Sequence, residues 1–403
     1  LQNPIVHFPD SPGYLDADII RSPGYPLFLN LIQFLFGNFF ETALIVIQLS
    51  IGLAAIYYFV DTIRKHFSFH IILVVLFTIA LLFPYYINGR IANNVLSEAL
   101  AYALYLVVLA RFIHFLVDQN RKTLLYTLPW LFFLILVRSQ FLYLIPLAIL
   151  MIIWICVKQR AWKKYRISLV LYLLLPFLVS LADKTYHKLQ HDHFVSTPWT
   201  GIHVAAPGFY IANAEDATIF EEAKEQEIFN NIHTKLTAQS LTAASPIDLE
   251  KSSPASRFIL NYTTIANKTI FKTTYASLDT TFTRSERIIQ TDAITKKMAP
   301  PLAMHNFSSW LKLYYKNVVF GFGSIEYFLL HLFILLIAFV TMLKKNTIVS
   351  TVLFVITAAA LLNVLTISIG IHAVFRYTFY NDWVVFLVVF LLVNEWWKKR
   401  ILE

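Results

Sequence analysis

Long apolar runs, a scarcity of charge and the alternating placement of that charge predict an all-α polytopic membrane protein. Of the 403 residues 58% are hydrophobic and 14% charged, whereas about a quarter of a soluble domain is charged. Several apolar stretches reach the ~20 residues that a helix needs to cross a bilayer. The net charge of +9 does not point to nucleic acid, because Lys and Arg gather at the ends of the apolar runs, where they orient a membrane protein. Cys156 is the single cysteine and lies inside such a run. The chain therefore has neither a disulfide framework nor a Cys-based metal site.

Taken in order, nine runs read as spans: 43–63, 69–87, 95–117, 124–137, 141–158, 167–184, 327–343, 348–369 and 381–397. Basic clusters follow every second one, at Arg64-Lys65, Arg121-Lys122, Lys158 to Arg166, Lys344-Lys345 and Lys398-Lys399-Arg400. Placing those turns in the cytoplasm satisfies the positive-inside rule. Residues 1–42, the Asn88–Asn94 turn, the turn at Arg138, residues 185–326 and the Gly370–Phe379 turn then face outward. The chain divides into a first extracytoplasmic loop with juxtamembrane helices (1–42), a transmembrane bundle of six spans (43–184), an extracytoplasmic polar domain (185–326) and a bundle of three further spans (327–403).

Two of these segments are short. The 124–137 run, with 14 residues, makes only ~21 Å of helix and is the weakest span. Residues 23–38 open with Pro23-Gly24-Tyr25-Pro26, and a helix there is expected to lie along the membrane surface or re-enter it. The 185–326 stretch differs in kind. It is polar, carries turn signals at Ser196-Thr197-Pro198 and Pro207-Gly208, and includes the charged helical stretch Asp216–Lys235. At ~140 residues it is long enough for a small domain, and N-x-S/T sequons stand at Asn261, Asn267 and Asn306.

Three elements of the outer face carry chemistry-bearing side chains. The first runs from Asp10 to Gly37, with Asp10, Tyr14, Asp16, Asp18 and Arg21 ahead of the apolar entry SPGYPLFL. A carboxylate such as Asp10 either takes a proton from a hydroxyl or caps a helix, here one expected through Tyr14–Ile20. Both readings stay open for Asp10, while Asp16 and Asp18 read as solvated helix residues. The second element, GRIANNVLSEAL, spans Gly89–Leu100. Its Glu98 opens a span, where capping and the helix dipole favour an acid with or without a function. Arg90 suits a phosphate or lipid headgroups. The third is Phe375-Arg376-Tyr377, whose guanidinium suits a phosphate bidentately. Arg138 sits between two apolar runs, which makes it a functional candidate unless it snorkels to headgroups. His191-Asp192-His193 has a metal-ligand spacing but no third ligand, and reads as a solvated loop. No P-loop, dinucleotide fingerprint or Ser-His-Asp triad is present.

In order, spacing and shared side, these three elements resemble the GT-C superfamily of polytopic membrane glycosyltransferases, in particular the mannosyl/arabinosyl-transferase type that uses polyprenyl-phosphate sugars. The resemblance implies a GT-C-like helical bundle in a bacterial plasma (inner) membrane with its site on the outer face. It implies inverting transfer of a sugar from a polyprenyl-phosphate donor to a lipid, glycan or protein acceptor. Asp10 would act as the base and Glu98 beside it, with Arg376, Tyr377, Arg138, Arg90 and Tyr14 binding substrate amid membrane lipids. No cofactor is assigned; a divalent metal stays open, with no ligand set in view. Members of the family carry a further span ahead of the catalytic loop, so one is expected ahead of residue 1. The alternatives are a transporter or flippase of lipid-linked sugars, which paired inverted repeats and Gly/Pro-broken helices would favour, and a non-catalytic envelope-assembly subunit.

Overall fold

In the computed structural model, which describes residues 4–87, 89–246, 253–345 and 347–402 and side chains as far as Lys398, every named element is a helix. They are α1 (Ser11–Leu15), α2 (Gly24–Phe36), α3 (Phe40–Phe67), α4 (Ile71–Tyr86), α5 (Glu98–Asp118), α6 (Arg121–Val137), α7 (Leu144–Gln159), α8 (Trp162–His191), α9 (Thr200–Ile211), α10 (Ala223–Ala238), α11 (Pro254–Leu260), α12 (Lys272–Ala276), α13 (Arg284–His305), α14 (Phe307–Gly321), α15 (Ile325–Lys344), α16 (Ile348–Ser368), α17 (Phe375–Thr378) and α18 (Val384–Leu402). Short 3-10 turns and one π-helical stretch, Thr264–Phe271, join them. Asn88, and the side chains of Lys399 and Arg400 in the last basic cluster, lie outside the described residues.

Among the described residues eight helical stretches are long and apolar enough to cross a membrane: Gly24–Phe67, Ile71–Asn93, Glu98–Asp118, Ser139–Gln159, Trp162–His191, Ile325–Lys344, Ile348–Ser368 and Phe375–Lys398. The chain is an all-α, multi-pass membrane protein. The expected 124–137 span is the one that differs. It forms α6, whose 17 residues make roughly 26 Å of helix, because Asn120 caps the helix ahead of Arg121 by accepting from the Lys122 N–H at 2.9 Å.

The helices sort into two compact units, Leu1–Asp183 with Leu329–Asn363 and Phe379–Glu403, and Lys184–Phe328 with Val364–Thr378. In the first, α5 packs against α3 and α6 and is buried over most of its surface, including Tyr102, Tyr105, Phe112 and Phe115, with a half-buried stripe at Val107, Arg111 and His114. A helix buried over so much of its surface belongs inside a bundle. Lipid is as apolar as leucine, so close packing and interhelical hydrogen bonds, about 0.6 kcal/mol each, hold such a bundle. Tyr102 Oη donates to the Leu81 carbonyl (3.1 Å) and Tyr105 Oη to Asn381 (2.5 Å), while Asn394 Nδ2 donates to the Phe67 carbonyl (2.9 Å).

The Gly24–Phe67 stretch is not one straight rod. Tyr25 Oη donates to Gln48 Oε1 at 3.0 Å, yet a straight helix would separate these residues by roughly 35 Å. The chain folds back at Gly37, so that α2 runs beside the first half of α3. Gly37 has φ +49° and ψ −117°, a conformation that glycine alone adopts without strain.

In the second unit, α9 and α13 pack closely. The Gly201 N–H donates to the buried Asp292 carboxylate at 2.6 Å. Thr283 and Glu286 form a reciprocal capping box at the start of α13. The unit also takes in Val364–Thr378, which the sequence divides between a span and an outer turn. Asn317 holds this segment, donating to the Ser368 and Ile371 carbonyls and accepting from the Ala373 N–H at 2.7–3.2 Å. Tyr262 Oη donates to the Gly370 carbonyl at 3.0 Å.

Candidate functional site

The loop ahead of α2 is stitched to the segment ahead of α5. The Val6 N–H donates to the Asn93 carbonyl (2.8 Å) and the Val95 N–H to the Val6 carbonyl (3.1 Å). Ser11 Oγ, fully buried, donates to the Val95 carbonyl (2.9 Å) and accepts from the Phe8 N–H (2.8 Å). These bonds fix residues 6–15 over the start of α5.

Helix α1 spans Ser11–Leu15 instead of the expected Tyr14–Ile20. Ala17 turns into the left-handed region at φ +50° and ends it, and Asp18 Oδ1 accepts from the Ile20 N–H at 3.3 Å, forming an Asx turn. Asp16 is the C-cap residue. Asp10 occupies the N-cap position but makes no side-chain capping bond; its carboxylate turns to Arg21, Oδ1 accepting from Nη2 at 2.9 Å. The Arg21 guanidinium lies 4.5 Å above the Tyr14 ring, close enough for a cation–π contact.

Tyr14 Oη stands 3.4 Å from Ser97 Oγ. Arg138 Nη1 donates to the same Ser97 Oγ at 3.3 Å and to Glu98 Oε1 at 2.9 Å. Arg138 caps the C-terminus of α6 in extended backbone. Its Nε donates to Gln140 (3.0 Å), whose amide donates to Asn363 (3.2 Å), and its guanidinium is 5.9 Å from the Tyr380 ring. Glu98 and Arg138 are 4% and 9% exposed at their side chains, against 36% for Asp10 and 16% for Arg21.

The structure thus joins Asp10, Arg21, Tyr14, Ser97, Arg138 and Glu98 in one contiguous polar network at the start of α5 and the end of α6. Four of these, Asp10, Tyr14, Glu98 and Arg138, are given a site role by the sequence. Arg21 and Ser97 complete the set, and a signal for Arg21 is there to read: it is the only Lys or Arg in residues 1–42, so the loop's carboxylates have one local partner. Arg90 is exposed, with left-handed backbone at φ +45°. Arg376 and Tyr377 belong to the second unit, in α17, the guanidinium 5.9 Å from the Tyr377 ring. Near them His372 stacks on Tyr262 at 4.4 Å and donates from Nδ1 to the Ile259 carbonyl at 2.9 Å. His191 closes α8; Asp192 is bound by Lys188 Nζ at 2.6 Å.

The PGYP element also acquires a physical meaning. Pro23 is the N-cap of α2. A Cβ on Gly24 would stand 2.6 Å from the backbone of Leu136 and Val137, so glycine is what lets α2 close on the end of α6 beside Arg138. The Tyr25 ring meets Tyr14 edge-on at 5.1 Å, and Gln48 carries the contact on to the Ala92 and Asn94 carbonyls (2.9 and 3.3 Å).

Chemically, the network offers one partly exposed carboxylate oriented by a guanidinium, and one buried ion pair that locks the base of the loop. Among the described residues no group of three His, Cys, Asp or Glu side chains is arranged to hold a metal ion. Comparison of the chain with protein-family models, with curated proteins and with solved structures finds no match.

Proposed function

We propose that the protein is an inverting GT-C-type glycosyltransferase that moves a sugar from a polyprenyl-phosphate carrier to a lipid, glycan or protein acceptor. The observation that carries this reading is the Asp10–Arg21–Tyr14–Ser97–Arg138–Glu98 network, an oriented and accessible carboxylate at the ends of apolar helices. Asp10 takes the proton of the acceptor hydroxyl as its oxygen attacks the anomeric carbon. The bond from that carbon to the carrier phosphate breaks, and the charge gained by the phosphate calls for cationic and hydrogen-bonding partners, the role that the family resemblance gives to Arg376, Tyr377 and Arg90. Arg21 orients the base, while Glu98 and Arg138 hold the loop in position. The reaction takes place at the outer face of a bacterial plasma membrane, with residues 185–326 as the extracytoplasmic domain.

The test is purified full-length protein with a synthetic polyprenyl-phosphate sugar and a panel of acceptors. Asp10→Asn keeps size and hydrogen bonding but cannot accept the proton, so transfer falls by ~10²-fold or more. Arg376→Lys reduces transfer and Arg376→Ala reduces it further, because lysine keeps the charge but loses the planar fork. Movement of the intact lipid across the bilayer, with no sugar leaving it for any acceptor, would replace the transferase with a transporter. Sidedness has its own readout. Cysteines at exposed His7, Ser253 and Phe375 should all react with an impermeant thiol reagent applied from outside, against the silent background of buried Cys156. Protection of His7→Cys alone would move the loop to the cytoplasm.

A further inference from the structure

At the far end of α5 from Glu98 the first unit carries a cleft that the polar network does not use. Leu116 lies 18 residues beyond Glu98, roughly 27 Å along the helix. The apolar part of the cleft, with a volume of about 190 Å³, is walled by Leu147, Met151 and Trp154 of α7, Phe339 of α15 and Phe354 of α16. A second part, about 200 Å³, is bounded by Gln119, Trp154, Lys158 and Ile348. Both share the walls Leu116, Trp154 and Thr351. Along α7 the walls run Leu147, Trp154, Lys158, and along α16 Phe354, Thr351, Ile348. The two parts therefore lie end to end, apolar inside and basic at the mouth.

The length and charge of the cleft say what fits it. From Leu147 to Lys158 is 11 residues, roughly 16 Å of helix, about half the ~30 Å hydrocarbon thickness of a bilayer and so the depth of one leaflet. Leu150 (61% exposed) and Phe339 (40%) stand at its open side. Lys158 lines the mouth and begins the basic turn that continues in sequence through Arg160, Lys163, Lys164 and Arg166. Lys164 Nζ and Tyr165 Oη both donate to the Gln119 carbonyl (2.9 and 2.5 Å), which pins this turn to the rim.

We propose that this cleft binds one anionic glycerophospholipid, an acyl chain lying between α7, α15 and α16 and the phosphate meeting Lys158 at the basic mouth. Intramembrane grooves with basic residues at the interface select anionic headgroups. Parts of about 190 and 200 Å³ hold a chain but not a helix, whose diameter with side chains is roughly 10–12 Å. The proposal is independent of the transferase reading, since it uses the opposite ends of the helices.

Trp154 lines both parts and reports on both. The protein is reconstituted with lipids brominated on the acyl chain, either phosphatidylglycerol or phosphatidylcholine, in an unbrominated phosphatidylcholine background. The Trp154 signal is the difference between wild type and Trp154→Phe. Half-quenching by brominated phosphatidylglycerol is expected at about fivefold lower mole fraction than by brominated phosphatidylcholine, the preference one lysine confers at a membrane surface. Lys158→Gln, at an exposed position, is expected to abolish most of that preference. Equal quenching by the two lipids overturns the proposal, as does a preference that survives Lys158→Gln. A quenched signal that is the same in Trp154→Phe also overturns it, because the lipid is then elsewhere.

Discussion

The two ion pairs of the network have the same length, 2.9 Å, and opposite surroundings. Asp10 and Arg21 lie in one loop, eleven residues apart, and the carboxylate is a third exposed. Glu98 and Arg138 lie on different helices, forty residues apart in sequence, and both are buried. An exposed pair is screened by solvent and contributes ~0–1 kcal/mol. A buried pair is nearly neutral against an apolar substitute, but breaking it strands a charge at a cost of about 3–5 kcal/mol. Equal geometry therefore implies different roles. The buried pair fixes the frame, and the exposed one is cheap enough to be rearranged by a substrate.

The comparison is easiest to break at Glu98. Glu98→Gln leaves the Arg138 guanidinium buried without its charge partner, and the unfolding midpoint in detergent should fall by the equivalent of about 3–5 kcal/mol. The double variant Glu98→Gln/Arg138→Gln should recover much of that loss. A single variant as stable as wild type would mean that the pair is solvated and the contrast does not hold.

Gly24 tests the frame without touching a charge. Gly24→Ala drives a methyl group into the Leu136–Val137 backbone, an overpacking expected to cost about 1–3 kcal/mol. Because Arg138 follows immediately, the substitution should also disturb the buried pair. Non-additivity with Glu98→Gln in a double-mutant cycle is the measurement; simple additivity would uncouple the PGYP element from the network.

The exposed pair should behave oppositely. Asp10→Asn should shift stability by no more than ~1 kcal/mol while abolishing most of the sugar transfer. A large stability loss would make Asp10 structural instead of chemical.

The smallest effect belongs to the second unit. Burial of His372, reinforced by the Arg376 charge and opposed by its bond to the Ile259 carbonyl, holds the imidazole below the ordinary histidine range. The unfolded chain, with a histidine pKa near ~6.5, then binds the proton more readily than the folded one. The contribution to stability is complete above that pH and is lost as pH falls through the depressed folded value. Protection factors at Ile259 and Tyr262, which correct hydrogen exchange for its intrinsic pH dependence, should fall below that range in the wild type. In His372→Gln the protection factors should be flat with pH; an equally pH-dependent variant would assign the effect to another group.

Much of this protein is legible in single stretches of sequence. Apolar runs, capping residues such as Asn120 and Thr283, and turn glycines act over a few residues, so spans and helix ends follow from local composition. The isolated charges are legible too. Glu98 is the only acid between Asp61 and Asp118, and Arg138 the only base between Lys122 and Lys158, and a lone charge in apolar surroundings needs a partner.

Tertiary packing decides what local patterns do not encode. It brings Glu98 to Arg138 across α5 and α6 and turns Asp10 from a helix cap into a partner of Arg21. It folds α2 back along α3 at Gly37 and assigns Val364–Thr378 to the second unit through Asn317 and Tyr262. Hydropathy sums along the chain, whereas a hydrogen bond or ion pair depends on the distance between residues far apart in sequence. That distance exists only once the helices have packed.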